Sequence, residues 1–306
     1  MIEWKTPSVE DIPEMRRLIA LSGAAGSDAS FANIFLLREK YNIKIAFYED
    51  CLLRLYTGNR LPGRRGMTFP LGGDPGKALK ILDPLCEDCI SKGKEIRFIF
   101  LTAEQKELVS KRFPDMVFET AEGNSDYTYT AEHLAYLKGK ENEKKRNRVN
   151  RFVRRFPDWE IRFFESDAPS GFEQDVIDVE EKWFSMQEER LDSAFLERIE
   201  IYEACKNFRS LGLICGLVYV SGIPVAMSIA SEISPGIFDI NFEKSYGEYA
   251  QDGGFSVINK YFAGYLLEKH GAKWINREED IGLEGLRRAK MAYRPDKLLE
   301  KYHTNF

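Results

Sequence analysis

The sequence predicts a mixed α+β (mixed α/β) fold made of two tandem units, each a mixed, mostly antiparallel sheet flanked by helices. Three observations predict it. Apolar runs of strand length alternate with stretches at helical spacing along the 306 residues. The succession strand, loop, helix, strand, helix, strand occurs over 67–118 and again over 236–302, with little residue-level similarity between the two. A chain of this length, 43% hydrophobic and 13% aromatic, also holds enough apolar material for two cores. The units are placed at 1–125 and 126–306, with the change falling near 125–140.

In the first unit, Ile12, Met15, Leu18 and Ile19 share one side of a covering helix over 11–21. Residues 22–30 are small and polar, and Ser30 is the expected cap of a short helix over 31–37. Segments 43–48 and 52–57 flank Glu49 and Asp50 as a hairpin, and 67–71 reads as a third strand. Gly72, Gly73 and Gly76 then open a helix over 78–90. A dense apolar strand over 96–101, a helix over 104–113 and a strand over 116–118 complete the unit.

The second unit begins with a basic helix over 141–156 and a strand over 160–164. Helices over 172–187 and 195–211 follow. Strands 213–220 and 224–232 turn at Ser221 and Gly222, and 236–243 continues the antiparallel ladder. A loop over 245–254 leads to a helix over 255–270, then strand 272–275, a charged turn, a helix over 283–293 and a last strand near 298–302. Leu283, Leu286, Ala289 and Met291 are expected on the buried side of the 283–293 helix.

A formal charge of −5 gives no whole-chain sign of nucleic-acid binding, so any basic surface must be local. The cysteines number five, no signal peptide is recognisable, and a reduced, cytoplasmic protein is expected. Cys86 and Cys89 form a C-x-x-C, but the three histidines are scattered and the motif sits in a helical pattern, so no metal site is expected. No apolar run reaches the roughly 18 residues of a membrane span. A lipid substrate would therefore be met peripherally.

Chemistry concentrates in the second unit. Asn276, Arg277, Glu278, Glu279 and Asp280 lie where a strand hands over to a helix, the position at which α/β folds place ligands. The dipole of the following helix accounts for Glu279 and Asp280. It does not account for Asn276 and Arg277, and a carboxylate raised by its neighbours, such as Glu278, can act as a base. Asn241, Glu243 and Lys244 end the preceding strand, and alternation sends Asn241 and Glu243 to one face. Lys290 and Tyr293 are three-residue neighbours on the next helix. Residues 138–155 hold nine basic residues against two acidic ones. Lys144, Lys145, Arg148, Arg151 and Arg155 are expected as one exposed phosphate-binding stripe for tRNA or an anionic lipid headgroup.

The strand-to-helix loop with its hairpin resembles the Gcn5-related N-acetyltransferase (GNAT) fold, in which two strands splay to admit the acyl thioester of coenzyme A. There a glycine loop caps the pyrophosphate. Gln251, Gly253 and Gly254 are the residues in that place here, in a spacing that departs from the family's pattern. In that fold a tyrosine from the following helix protonates the departing thiolate, a role Tyr293 would inherit.

The runs DYTYTAEHLAYLKGKENEKKRNRVNRF, INFEK and INREEDIGLEGLRRAKMAYRP together resemble the C-terminal catalytic region of phosphatidylglycerol lysyltransferases. That group has two tandem acetyltransferase-like units, an arrangement it shares with Fem-type aminoacyltransferases. The resemblance implies transfer of an aminoacyl group from aminoacyl-tRNA to a lipid or other small acceptor by direct attack. Glu243 or Glu278 would take the proton or hold the ammonium, Arg277 would stand at the gap, and Lys290 or Tyr293 would assist departure of the ribose hydroxyl. The location implied is cytoplasmic, extending to the inner membrane face. Two alternatives stay open: an acetyl-CoA-dependent N-acyltransferase, and a catalytically silent binding protein.

Overall fold

The computed structural model describes residues 2–58, 65–91, 93, 95–120, 123–187 and 192–304. Helices α1 (Ile12–Ser22) and α2 (Phe31–Leu36) precede the antiparallel strands β1 (Ile43–Tyr48), β2 (Cys51–Thr57) and β3 (Arg65–Met67). Next come α3 (Pro75–Ser91), α4 (Ala103–Arg112) and β4 (Phe118–Thr120). Segment 96–101 is not the regular strand expected. It makes isolated bridges only, parallel from Phe98 to Met67 and antiparallel from Leu101 to Tyr302, while its apolar side chains still enter the core.

Beyond residue 125 the order is β5 (Asp126–Thr130), α5 (Ala131–Tyr136), α6 (Glu143–Arg155), β6 (Trp159–Phe164), α7 (Phe172–Ser185) and α8 (Asp192–Lys206). Then come β7 (Ile214–Val220), β8 (Ile223–Ser234), β9 (Ile237–Ser245), α9 (Gly247–Gln251), α10 (Gly254–His270) and β10 (Trp274–Asn276). The chain ends with α11 (Glu284–Met291), β11 (Lys297–Leu299) and β12 (Tyr302–Thr304). The 245–254 segment thus contains a short helix, α9, where a loop is expected, and two strands replace the single one near 298–302. Neither β5 nor α5 is among the expected elements.

One seven-stranded sheet dominates, in the order β11-β5-β10-β9-β8-β7-β6, and β9 and β10 are parallel. Every residue of β7, ICGLVYV, is buried, as a central strand covered on both faces requires. Leu217 and Tyr219 join Met15, Phe31, Val176 and Phe208 of α1, α2, α7 and the segment after α8 in one core. Val218 and Val220 join Leu134, Phe152, Val257 and Phe262 of α5, α6 and α10 in a second. The sheet therefore has an α2 side and an α10 side.

Two strands, β5 and β12, close the fold, and one of them crosses to the first portion of the chain. β5 inserts between β10 and β11, pairing Tyr129 with Ile275 and Tyr127 with Leu298. β12 crosses to pair with β4, and Tyr302 bridges Leu101. A buried ion pair joins the start of β5 to the approach to β12. Lys301 Nζ lies 2.6 Å from Asp126 Oδ1. Asp126 also accepts from the Ser27 N–H and hydroxyl at 2.7 and 2.9 Å, and from Asn276 Nδ2 at 2.8 Å.

The expected burial along 283–293 is reversed. Leu283, Leu286 and Met291 are 40–47% exposed. The reason is polar anchoring of α11: Arg287 bonds Asp280 at 3.0 Å and Lys290 donates to the Glu279 carbonyl, so charged groups take the inward side. In α3, Cys86 is a buried thiol that burial pushes up to about 12, and Cys89 is half-buried.

Replacing Lys301 with Met strands a buried carboxylate, and urea unfolding is expected to show a loss of about 3–5 kcal/mol. Burial by itself raises the Asp126 carboxyl, and the Lys301 ammonium more than reverses this, holding it below its ordinary value. A depressed carboxyl stabilises fully above its unfolded pKa and loses that contribution as pH falls through the folded one. The wild-type and Lys301→Met stabilities are expected to converge in acid.

Candidate active site

β9 and β10 pair only as far as Asp239 and Asn276; β10 ends there, while β9 runs on to Ser245. The strands part at this point. Within β9 the register against β8 slips, with Ile240 opposite Ala230 but Phe242 opposite Ile229, leaving Asn241 as an extra residue. The bulge puts Asn241 and Glu243 on opposite faces, contrary to simple alternation. Asn241 Nδ2 donates to Asn33 of α2 at 2.9 Å, whereas Glu243 accepts from Asn259 of α10 at 3.2 Å.

Arg277 and Glu278 divide in the same way. On the α10 side, Arg277 donates to Glu243 at 2.7 Å and lies 5.0 Å from the Tyr293 ring centroid. Lys145 of α6 covers the same ring at 3.7 Å. The other Arg277 guanidinium nitrogen, Nη1, is buried without a hydrogen-bond partner among the described residues. Burial, helped by the Arg148 and Arg277 charges, lowers the Lys145 ammonium to about 8. Burial keeps the Tyr293 phenol above its ordinary value, and its hydroxyl reaches Ser256 Oγ at 3.4 Å.

On the α2 side, Glu278 has φ +58°, a left-handed conformation that costs a non-glycine residue roughly 1–3 kcal/mol. Its N–H is held by Asn276 Oδ1 at 2.7 Å. Its Oε1 accepts from Asn33 Nδ2 at 2.8 Å, and the same nitrogen is 2.9 Å from Asp239 Oδ2. Burial raises the Glu278 carboxyl despite the Asn33 bond and the Lys290 charge. Burial and the Glu278 and Asp126 charges raise Asp239 well above its ordinary value. Lys290, desolvated beside these groups, falls to about 8.

Several expected site residues have other employment. Asn276 is fully buried, its amide committed to Asp126 and the Ala25 carbonyl, so it positions backbone rather than phosphate. Lys244 points to the opposite side from α6, bonding Glu197 at 2.6 Å over the Trp183 ring, because the bulge displaces it. The α6 stripe is not uniformly free either. Lys145 is buried, Arg151 pairs with Asp252, and Arg155 pairs with Glu248 at 2.8 Å and Asp252 at 2.6 Å. Lys144 and Arg148 remain exposed, with no ion pair among the described residues. Gln251 offers its carbonyl to Arg151 at 2.6 Å.

Gly253, at φ +117°, has the Arg148 carbonyl 2.5 Å from where a Cβ would stand, and a Cβ on Gly254 would collide with Ser245 Oγ. These glycines let α6 and β9 close onto the start of α10.

Sequence reasoning passed over Ser27, Asn33, Asp126, Asp239 and Lys301, which come from separated segments. None of them stands out in the sequence alone: even Asp239 is one of several polar residues in β9, beside Asn241, Glu243 and Lys244. A groove of about 410 Å³ lined by Ile177, Glu181, Pro224 and Tyr246 lies between α7 and the start of β8, and none of these charged residues lines it.

Among solved structures the chain is similar to a conserved protein of unknown function from Bacteroides thetaiotaomicron, with 29% identity, 99% of each chain covered and a TM-score of 0.89. It is similar to L-PGS from Bacillus licheniformis at 14% identity, over 98% of this chain and 92% of that one, with a TM-score of 0.68. It is also similar to the C-terminal domain of a putative lysylphosphatidylglycerol synthetase from Agrobacterium fabrum, at 12% identity, 97% and 92% coverage and a TM-score of 0.64. These last two likenesses are of fold. No curated protein matches. The family described as phosphatidylglycerol lysyltransferase, C-terminal, matches residues 19–305, and the chain belongs to that family, which supports an acyl- or aminoacyltransferase in general.

Proposed function

We propose that this protein moves an aminoacyl group from aminoacyl-tRNA to a lipid or other small acceptor by direct attack, in the parting of β9 and β10. The observation that favours this donor over coenzyme A is the start of α10. In acetyltransferases of the resembling fold that place seats a pyrophosphate, and here the Arg148 carbonyl lies 2.5 Å from a Cβ built on Gly253. A substrate phosphate would instead meet the exposed Lys144 and Arg148 on α6.

In this reading the acceptor's oxygen or nitrogen attacks the ester carbonyl and gives its proton to Glu278, whose raised carboxyl is suited to act near neutral pH. The new acyl bond forms as the ester C–O bond breaks, and the ribose oxygen leaves with a proton. Lys290, lowered to about 8 and within electrostatic reach of Glu278, is better matched to supply it than Tyr293, which sits on the α10 side with a phenol held high by burial. Arg277, fixed by Glu243, serves charge developing on that second side. Residues 1–125 form the acceptor wall and lend Asn33, while 126–306 carry the transfer chemistry. Among the described residues no helix is long and apolar enough to cross a membrane. The proposed place of work is the cytoplasm and the inner membrane periphery.

With radiolabelled lysyl-tRNA and phosphatidylglycerol vesicles as probes, Glu278→Gln is expected to lower the transfer rate about 10²–10⁴-fold. Unchanged transfer would remove Glu278 from the mechanism. In filter binding, Lys144→Glu with Arg148→Glu is expected to weaken retention of charged tRNA and to flatten the salt dependence by about 0.7–0.9 in logarithmic slope for each phosphate no longer neutralised. Acetyl-CoA is expected to leave the melting temperature unmoved; saturable stabilisation would instead favour the acetyl-CoA donor.

A further inference from the structure

We propose that Asp239 and Glu278 share a single proton across the Asn33 amide, making Asp239 and Asn33 positioning residues that set the proton affinity of Glu278. The inference rests on the reading of Glu278 as the proton acceptor and adds two residues to it.

The geometry carries it. Asn33 Nδ2 has two hydrogens and faces three oxygens: Glu278 Oε1 at 2.8 Å, Asp239 Oδ2 at 2.9 Å and the Ser27 carbonyl at 3.1 Å. Its orientation is fixed, because Asn33 Oδ1 accepts from Asn241 at 2.9 Å and an oxygen turned the other way would meet three acceptors. Asn241 also reaches Asp239 Oδ2 at 3.2 Å.

The surrounding charge leaves no room for two full anions. Asp239 is fully buried. From β5 comes Asp126, already held by Lys301, and Lys301 is further divided between Asp28 and Glu279, each at 3.6 Å. From α8 comes Glu200, which Lys40 neutralises at 3.2 Å and whose carboxyl burial lifts to about 7. From α11 comes Lys290, while the Ser30 hydroxyl at the cap of α2 is paired with Ser231 at 3.2 Å and Asp239 Oδ1 has no hydrogen-bond partner among the described residues. Arg277, next in the chain to Glu278, is spent on Glu243 at the other face. One proton between Asp239 and Glu278 removes the uncompensated charge, as in other close carboxyl pairs. Asp239 then holds the proton at rest, and Glu278 is free to accept the one released by the attacking group.

The test is a carbon-13 NMR titration of the full chain labelled at aspartate carboxyls, with no donor or acceptor present. Among the described aspartates with shifted carboxyls Asp239 is the one raised, against Asp11, Asp50, Asp126, Asp158 and Asp280, which are lowered. One aspartate signal is therefore expected to titrate well above the ordinary carboxylate range, and Asp239→Asn identifies it by removing it. Glu278→Gln is expected to lower that midpoint by about 1–2 pH units, and Asn33→Leu to raise it. A midpoint in the ordinary range, or one that ignores Glu278→Gln, overturns the proposal. Should Glu278→Gln fail to fold, the reciprocal measurement on glutamate-labelled Asp239→Asn protein decides in the same way. Failure of the transfer assay leaves this titration standing, and an ordinary titration in an active enzyme defeats the shared proton alone.

Discussion

The rest of the structure depends on the buried contact between Lys301 and Asp126. Asp126 opens β5, and Lys301 leads into β12, the strand that crosses to the first portion of the chain. Four donors converge on that one carboxylate, from Lys301, Asn276 and the backbone and hydroxyl of Ser27. They come from three separate segments, so the ion pair fixes the end of β10, the entry to α2 and the return of the chain terminus in one place. A buried pair of this kind is weak as a source of net stability, and strong as a selector of one arrangement over others. Without it the crossing of β12 to β4 would lose a buried tie at its start.

Because Asn276 is held by that carboxylate, Arg277 and Glu278 leave the sheet at a defined point, and backbone alternation sends them to opposite sides. The bulge at Asn241 does the same for β9. As a result a basic side, with Lys145, Arg148 and Arg277 around Glu243, is separated by a single strand's thickness from an acidic side with Asp239, Glu278 and Glu279. Few simple folding demands would produce this. The α10 side needs only a packed helix interface, which Gly253 and Gly254 already provide by letting α6 approach. Under the proposed function, an aminoacyl ester, cationic at its ammonium and anionic at its phosphates, would use such a division on both ends.

The sequence revealed more of the fold than of the site. Elements governed by local apolar periodicity, α1, α7, α10 and the β7–β8–β9 ladder, lie close to where spacing puts them. β5 was not legible because DYTYT has neither a clean apolar run nor a nearby partner; its strands are β10 and β11, well over a hundred residues on. For α11 the apolar spacing misled, since Asp280 and Glu279 anchor its cations inward. Arg277 and Glu278 were legible as an unexplained charge at a strand end. Asn33, Asp239 and Lys301 were not, because an asparagine in a six-residue helix or an acid in a strand acquires meaning only from what faces it across the fold. The exposed cationic stripe failed for the same reason: helical spacing tells which residues share a face, but not that Glu248 and Asp252 stand opposite it.

Holding these groups in place works against stability, and the directions of the shifts say so. An amine lowered by burial, as at Lys145 and Lys290, penalises the folded state while it is charged, and the penalty is relieved only as pH rises through its lowered value near 8. A carboxyl raised by burial, as at Glu278 and Asp239, penalises the folded state while ionised, and relief comes as pH falls through its raised value. Near neutrality both kinds of penalty act together. Left-handed backbone at Glu278 and again at Ile281 adds strain in the same turn. A sequence selected for stability alone would replace these groups with apolar side chains of similar volume. Their collection at one strand opening, with strain beside them, is what the proposed acid–base role would require and what a scaffold would avoid.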